Sequence, residues 1–201
     1  MAGGVTILIT FSSVQNPGQA GLTASFQVVT YLDNLLDAVI DQVLSGLTLE
    51  FGASQLSPSS VFVLPSNLTT SSPSNYTISA ALNNFIPAGG SILMVFPPEL
   101  TLATPSLLSA SFPTTSCSLS LLSNNLTLDG CFPTELSTLN IYFTIGGVTN
   151  PSSLAPTSSF EIYTQSTNGT INFLNSGVSV TMTSLALSQA FTASAGSQLV
   201  N

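Results

Sequence analysis

Two hundred and one residues suffice for one large domain or two small ones. An average soluble domain of that length carries roughly 50 charged side chains, whereas this chain has eight, all acidic, and no Lys, Arg, His or Trp. A chain without cations cannot neutralise phosphates, so nucleic-acid binding is excluded, as are a Ser-His-Asp triad, a Schiff-base lysine and a His-ligated zinc.

With 44% apolar residues the chain has the means to bury a core, and no stretch approaches the ~18 consecutive apolar residues of a membrane span. In chain order, period-two or short apolar runs predict strands at 5–11, 25–31, 47–51, 60–64, 76–82, 91–96, 118–122, 126–128, 139–145, 160–164, 170–173 and 178–182. Asn-Pro, Pro-Ala-Gly-Gly, Pro-Pro and Asn-Gly breakers separate them. Asn168-Gly169 predicts a hairpin turn. Many short strands at this spacing indicate an all-β chain of immunoglobulin-like sandwich modules. Residues 33–45 dissent. Leu32, Leu35, Leu36, Val39, Ile40, Val43 and Leu44 recur at helical spacing, with Asp33 placed to cap and Gly46 to terminate, so a short helix is expected there.

An internal repeat organises the chain. Residues 7–31 match residues 141–165 without a gap at an offset of 134, including Asn16/Asn150, Pro17/Pro151, Ser25/Ser159, Phe26/Phe160 and Thr30/Thr164. The stretch 45–49 echoes 176–180 at an offset of 131. The repeat argues for a hairpin where the apolar spacing argues for a helix, since the matching stretch 165–175 reads as a hairpin. The expected organisation is the second half of one sandwich at 1–46, which leaves the first module incomplete, and a full sandwich at 47–177. Residues 178–201 are then an opening strand of a next repeat or an exchanged C-terminal strand.

The strings IGGVTNPSSLAPTSSFEIYT (145–164) and NFIPAGGSILMVFP (84–97), the latter followed by two cysteines, resemble a recurrent motif of very large secreted surface proteins of ciliates and related protists. The resemblance implies Ser/Thr-rich β-sandwich modules in tandem outside the cell. It implies architecture and location, and no chemistry.

Cys117 and Cys131 bracket two strand-like runs and are expected to form a disulfide rather than two buried thiols. Asn67, Asn75, Asn125 and Asn168 each open an N-glycosylation sequon. With 33 Ser and 24 Thr such triplets arise by chance, but a surface this poor in charge gains solubility from attached glycans. Asp33, Asp37 and Asp41 are weak calcium candidates, better read as the solvated face of the expected helix. The acids are scattered and no Asp-Thr-Gly element occurs, so carboxylate catalysis is not expected, nor is a cofactor. The expected function is a structural extracellular glycoprotein subunit that assembles with copies of itself into a filament or surface coat, by strand sharing between neighbours. The alternative is an adhesion module that binds carbohydrate or protein.

Overall fold

The computed structural model describes residues 8–12, 21–31 and 39–184. Its strands are β1 (Gly21–Leu22), β2 (Phe26–Tyr31), β3 (Val39–Leu47), β4 (Glu50–Phe51), β5 (Ser54–Gln55), β6 (Val61–Pro65), β7 (Pro73–Ala81), β8 (Ser91–Val95), β9 (Thr101–Ala110), β10 (Ser118–Leu122), β11 (Asn125–Asp129), β12 (Asn140–Thr149), β13 (Glu161–Ser166) and β14 (Gly169–Leu174), with one 3-10 turn at Pro58–Ser60.

Strands β5 to β14 form a β-sandwich. One sheet has the order β10-β11-β8-β13-β14-β5 and the other β6-β7-β12-β9. Period-two alternation drives their closure, because every second side chain leaves water. Strand β7 buries Ser74, Tyr76, Ile78 and Ala80 and turns Asn75, Thr77 and Ser79 outward. Ile92 and Met94, Leu126 and Leu128, and Ile141, Phe143 and Ile145 fill the space between the sheets. At one end Tyr76, Phe96 and Phe160 meet with ring centroids 5.6 to 6.4 Å apart, which suits edge-on aromatic packing.

Buried Tyr76 donates its hydroxyl to Asn150 Oδ1 at 2.7 Å. Burial pushes its pKa up to about 12. The folded state therefore holds a proton that the unfolded chain releases near pH 10. Stability is full below pH 10 and is expected to fall by about 2–3 kcal/mol as pH rises from 10 to 12, read as a drop in the urea midpoint.

The helix expected over 33–45 is not formed in the part described, since Val39–Leu47 is a strand; residues 33–38 lie outside the described residues. Strand β3 pairs antiparallel with β2, Val28 opposite Val43 and Thr30 opposite Asp41. The β-branched Val39, Ile40 and Val43 favour that pairing, and the repeat predicted it. Residues 8–11, expected as strand, are irregular. Residues 178–183, expected as an opening strand of a next repeat or an exchanged strand, pack into the core of this sandwich. Val178, Val180 and Met182 are buried there, while Phe160 and Thr157 donate backbone hydrogen bonds to Val178 and Val180.

Strand β9 is not among the strands expected from the sequence, and Pro105 lies within it. A proline is tolerated on an edge strand, and β9 is the edge of its sheet. Opposite it, β12 carries a bulge between Gly146 and Val148. Gly147 has φ +78° there, and a Cβ would run into the Thr104 carbonyl, so only glycine fits.

Cys117 and Cys131 are joined in a disulfide that closes the β10–β11 hairpin. Replacing both by alanine is expected to cost about 3 kcal/mol, the closure term for a loop of this length, measured as a lower urea midpoint at unchanged slope.

Candidate assembly interface

The two copies of the repeat share one local geometry. The hairpin β2–β3 reproduces β13–β14 pair for pair. Val28↔Val43, Val29↔Gln42, Thr30↔Asp41 and Tyr31↔Val39 correspond to Ile162↔Leu174, Tyr163↔Phe173, Thr164↔Asn172 and Gln165↔Thr170. Each ladder skips one isoleucine at the same step, Ile40 in the first copy and Ile171 in the second.

Four hydrogen bonds recur as well. Thr157 N–H donates to the Val180 carbonyl as Thr23 N–H does to Leu49, both at 2.9 Å. Val180 N–H reaches Thr157 Oγ1 at 3.1 Å, and Leu49 N–H reaches Thr23 Oγ1 at 3.0 Å. Gly177 N–H donates to Ser159 Oγ and Gly46 N–H to Ser25 Oγ, at 3.0 and 3.3 Å. Asn172 N–H donates to Thr164 Oγ1 and Asp41 N–H to Thr30 Oγ1, at 3.2 and 3.0 Å. Gly177 and Gly46 both take positive φ, +94° and +87°, where glycine is least strained.

Burial separates the copies. Phe160, Ile162 and Leu174 are each 1% exposed, whereas their counterparts Phe26, Val28 and Val43 are 48%, 44% and 45% exposed. Leu47 and Leu49, the counterparts of Val178 and Val180, are exposed too, as are Ile9 and Phe11, the counterparts of Phe143 and Ile145. Scattered exposed leucines are ordinary, but contiguous apolar faces of this kind mark interaction sites. Among the described residues β2–β3 is a two-stranded sheet, and such a hairpin is at best marginally stable alone in water.

The second copy shows what covers that face. The outer edge of β13 pairs with β8 from Glu161↔Val95 to Gln165↔Ser91. Strand β14 pairs with β5, and Gly177 lies against Pro58. Asn172 Oδ1 accepts the N–H groups of Asn83 and Asn84, at 3.3 and 3.0 Å, and its Nδ2 donates to the Asn84 carbonyl at 2.9 Å. In the first copy Gly46 faces open space and exposed Asp41 stands where Asn172 stands in the second.

The other sequence-predicted residues lie elsewhere. Asp33 and Asp37 fall outside the described residues, and Asp41 is in a strand rather than on a helix face. Among the described residues no cluster of three acids or cysteines suits a metal. Asn75, Asn125 and Asn168 are exposed, whereas Asn67 is half-buried. Its Oδ1 accepts Thr69 N–H at 2.9 Å, and its carbonyl accepts Asn150 Nδ2 at 2.7 Å. A second apolar surface, missed in the sequence, lies on the outer face of the four-stranded sheet. Exposed Phe62 and Tyr142 flank Ser79 beside an open hollow of about 470 Å³. Among the described residues no helix is long and apolar enough to cross a membrane.

No family model and no curated protein matches the chain. Among solved structures it is similar to BslA, a bacterial hydrophobin, at 12% identity over 65% of this chain and 98% of that one, with a TM-score of 0.38. It is also similar to a chitin-binding domain of a chitinase from Pyrococcus furiosus, at 14% identity over 56% and 96%, with a TM-score of 0.28. A non-cellulosomal cohesin from Archaeoglobus fulgidus matches at 12% identity over 59% and 85%, with a TM-score of 0.31. At those scores the likenesses leave the reading of the interface to the residues of this chain.

Proposed function

We propose that this chain is a structural extracellular glycoprotein module that joins neighbouring sandwich units head to tail in a filament or surface coat, through the open apolar face of β2, β3 and residues 47–49. The observation that carries this reading is the contrast between Phe26, Val28 and Val43, which stand exposed, and their buried counterparts Phe160, Ile162 and Leu174. A disulfide, a surface almost without charge and exposed sequons at Asn75, Asn125 and Asn168 support an extracellular, glycosylated setting. A head-to-tail contact between unlike surfaces propagates into a fibre instead of closing into a dimer.

Electron microscopy and sedimentation of the native protein test it. Filaments, or co-purification with a neighbouring sandwich unit seated on β2–β3, support the module reading, and native material in which that face stays uncovered overturns it. Intact mass before and after enzymatic deglycosylation tests the sequons. Acidification adds a further expectation. With no Lys, Arg or His to oppose them, protonating the carboxylates brings the net charge of −8 closer to zero as pH falls, and mutual repulsion weakens. Association is expected to strengthen as pH falls from 7 to 4, measured by light scattering.

A second reading rests on the Phe62–Ser79–Tyr142 row. Two exposed aromatic rings beside a hollow suit a carbohydrate or protein ligand, so an adhesion module predicts glycan binding that Phe62→Ala abolishes without unfolding the sandwich.

A further inference from the structure

We infer that the open face of β2–β3 takes one kind of partner: the opening half of a sandwich of the 51–139 type that is not already closed by strands of its own. This rests on the head-to-tail reading above and names the partner of that interface.

The chain itself displays the fit. Residues 140–183 are the closing half of the described sandwich, and the opening half 51–139 covers them with β8 on the β13 edge, β5 on the β14 edge, Pro58 on Gly177 and the Asn83-Asn84 turn on Asn172. The first copy repeats the receiving geometry down to the bulge and four hydrogen bonds, while its receiving groups meet no such partner among the described residues. The matched registers specify the contact. A strand equivalent to β8 runs antiparallel to β2, its Met94 opposite Val28 and its Ile92 opposite Thr30. Strand addition of this kind derives its affinity from main-chain hydrogen bonds and its register from alternate side chains.

A second copy of residues 1–201 does not supply such an open half. The opening half within those residues, 51–139, is already closed by residues 140–183. Exchange between copies would expose one closing half for each one it covered, with no net apolar area removed from water. Asp41 adds selectivity. Where Asn172 both accepts from two backbone N–H groups and donates to the Asn84 carbonyl, an ionised Asp41 only accepts. The partner is therefore one whose turn offers N–H groups at this position.

The test extends the full chain by appending a copy of residues 51–139 ahead of residue 1. At the repeat offset residue 139 precedes residue 6, so the first five residues serve as the joint. Closure is expected to slow amide exchange at residues 27–31 at least 10-fold, to protect the added half from protease, and to remove most apolar-dye binding. Val28→Asp in the extended chain is expected to reverse all three and leave the sandwich of 51–183 unchanged. A second variant reads register: cysteines replacing Val28 and the added copy's Met94 are expected to crosslink, and Val29→Cys with the same partner is not. An added half that stays protease-sensitive, with exchange at 27–31 unchanged within 2-fold and no crosslink, overturns the inference. If native material forms filaments while the extended chain fails to close, the partner assignment falls and the assembly reading stands. If the extended chain closes but native material holds no neighbouring sandwich unit on β2–β3, the assembly reading falls alone. A discrete dimer of the parent that the appended half does not dissolve identifies a second copy as the occupant and also overturns the inference.

Discussion

Phe160→Ala is expected to destabilise the sandwich by about 3–5 kcal/mol, while Phe26→Ala, at the matching repeat position, is expected to cost less than about 1 kcal/mol. Phe160 is buried at 1% exposure and packs against both Tyr76 and Phe96. Removing its ring forfeits the transfer energy of the side chain and leaves a cavity between two sheets, which the surrounding strands cannot fill without losing register. Phe26 occupies the same step of the same hairpin, but half its surface is already in water. Its truncation empties no cavity, and its effect falls on association instead. Urea unfolding of both variants, with sedimentation of each, checks the pair. Equal losses of stability at the two sites would mean that the first copy is closed in solution and would remove the basis for the open interface.

Asn172→Ala is expected to cost about 3–5 kcal/mol through a different mechanism. Asn172 is fully buried, and its side chain answers five groups: the backbone N–H groups of Asn83 and Asn84, the Asn84 side-chain amide, the Asn84 carbonyl and Thr164 Oγ1, the last at 2.8 Å. Alanine leaves the Asn83 and Asn84 groups without their partner inside the sandwich, while Thr164 Oγ1 keeps the backbone N–H of residue 172; each buried polar group so stranded costs about 1–3 kcal/mol, partly relieved where water enters. The expected signature is a lower urea midpoint together with faster amide exchange at Asn83 and Asn84. A loss below about 1 kcal/mol would show that the turn at 83–84 is held by other contacts. Asp41 in the equivalent place makes the same step testable in the first copy, where a substitution is expected to leave stability unchanged.

Much of the fold is legible in the residues. The runs at 60–64, 76–82 and 91–96 predict strands that the structure places at Val61–Pro65, Pro73–Ala81 and Ser91–Val95, and Asn168-Gly169 turns the β13–β14 hairpin as expected. Cys117 and Cys131 bracket the hairpin they close. The stretch 33–45 shows where periodicity misleads. Spacings of three and four residues suit a helix, yet Val39–Leu47 pairs with Phe26–Tyr31 because strand hydrogen bonds depend on a neighbour that no local pattern reveals. Pro105 sits within β9 for a related reason, since a proline weakens a strand only where its missing N–H is needed, and edge position is set by the rest of the sheet.

The sequence by itself determined the absence of cations, and with it the excluded chemistries, together with the β character of the chain and the repeat that pairs 7–31 with 141–165. These are properties of residue type and local spacing, which act wherever the chain runs. Only the tertiary structure decided which copy is closed and which is open. Phe26 and Phe160 have similar local sequence, but burial depends on strands distant in sequence, and among the described residues, 51–139 cover the second copy and leave Phe26, Val28 and Val43 exposed. The Asn172 network was invisible for the same reason: it joins groups 88 and 89 residues apart, whose meeting depends on the packing of two sheets and on no feature of either segment alone.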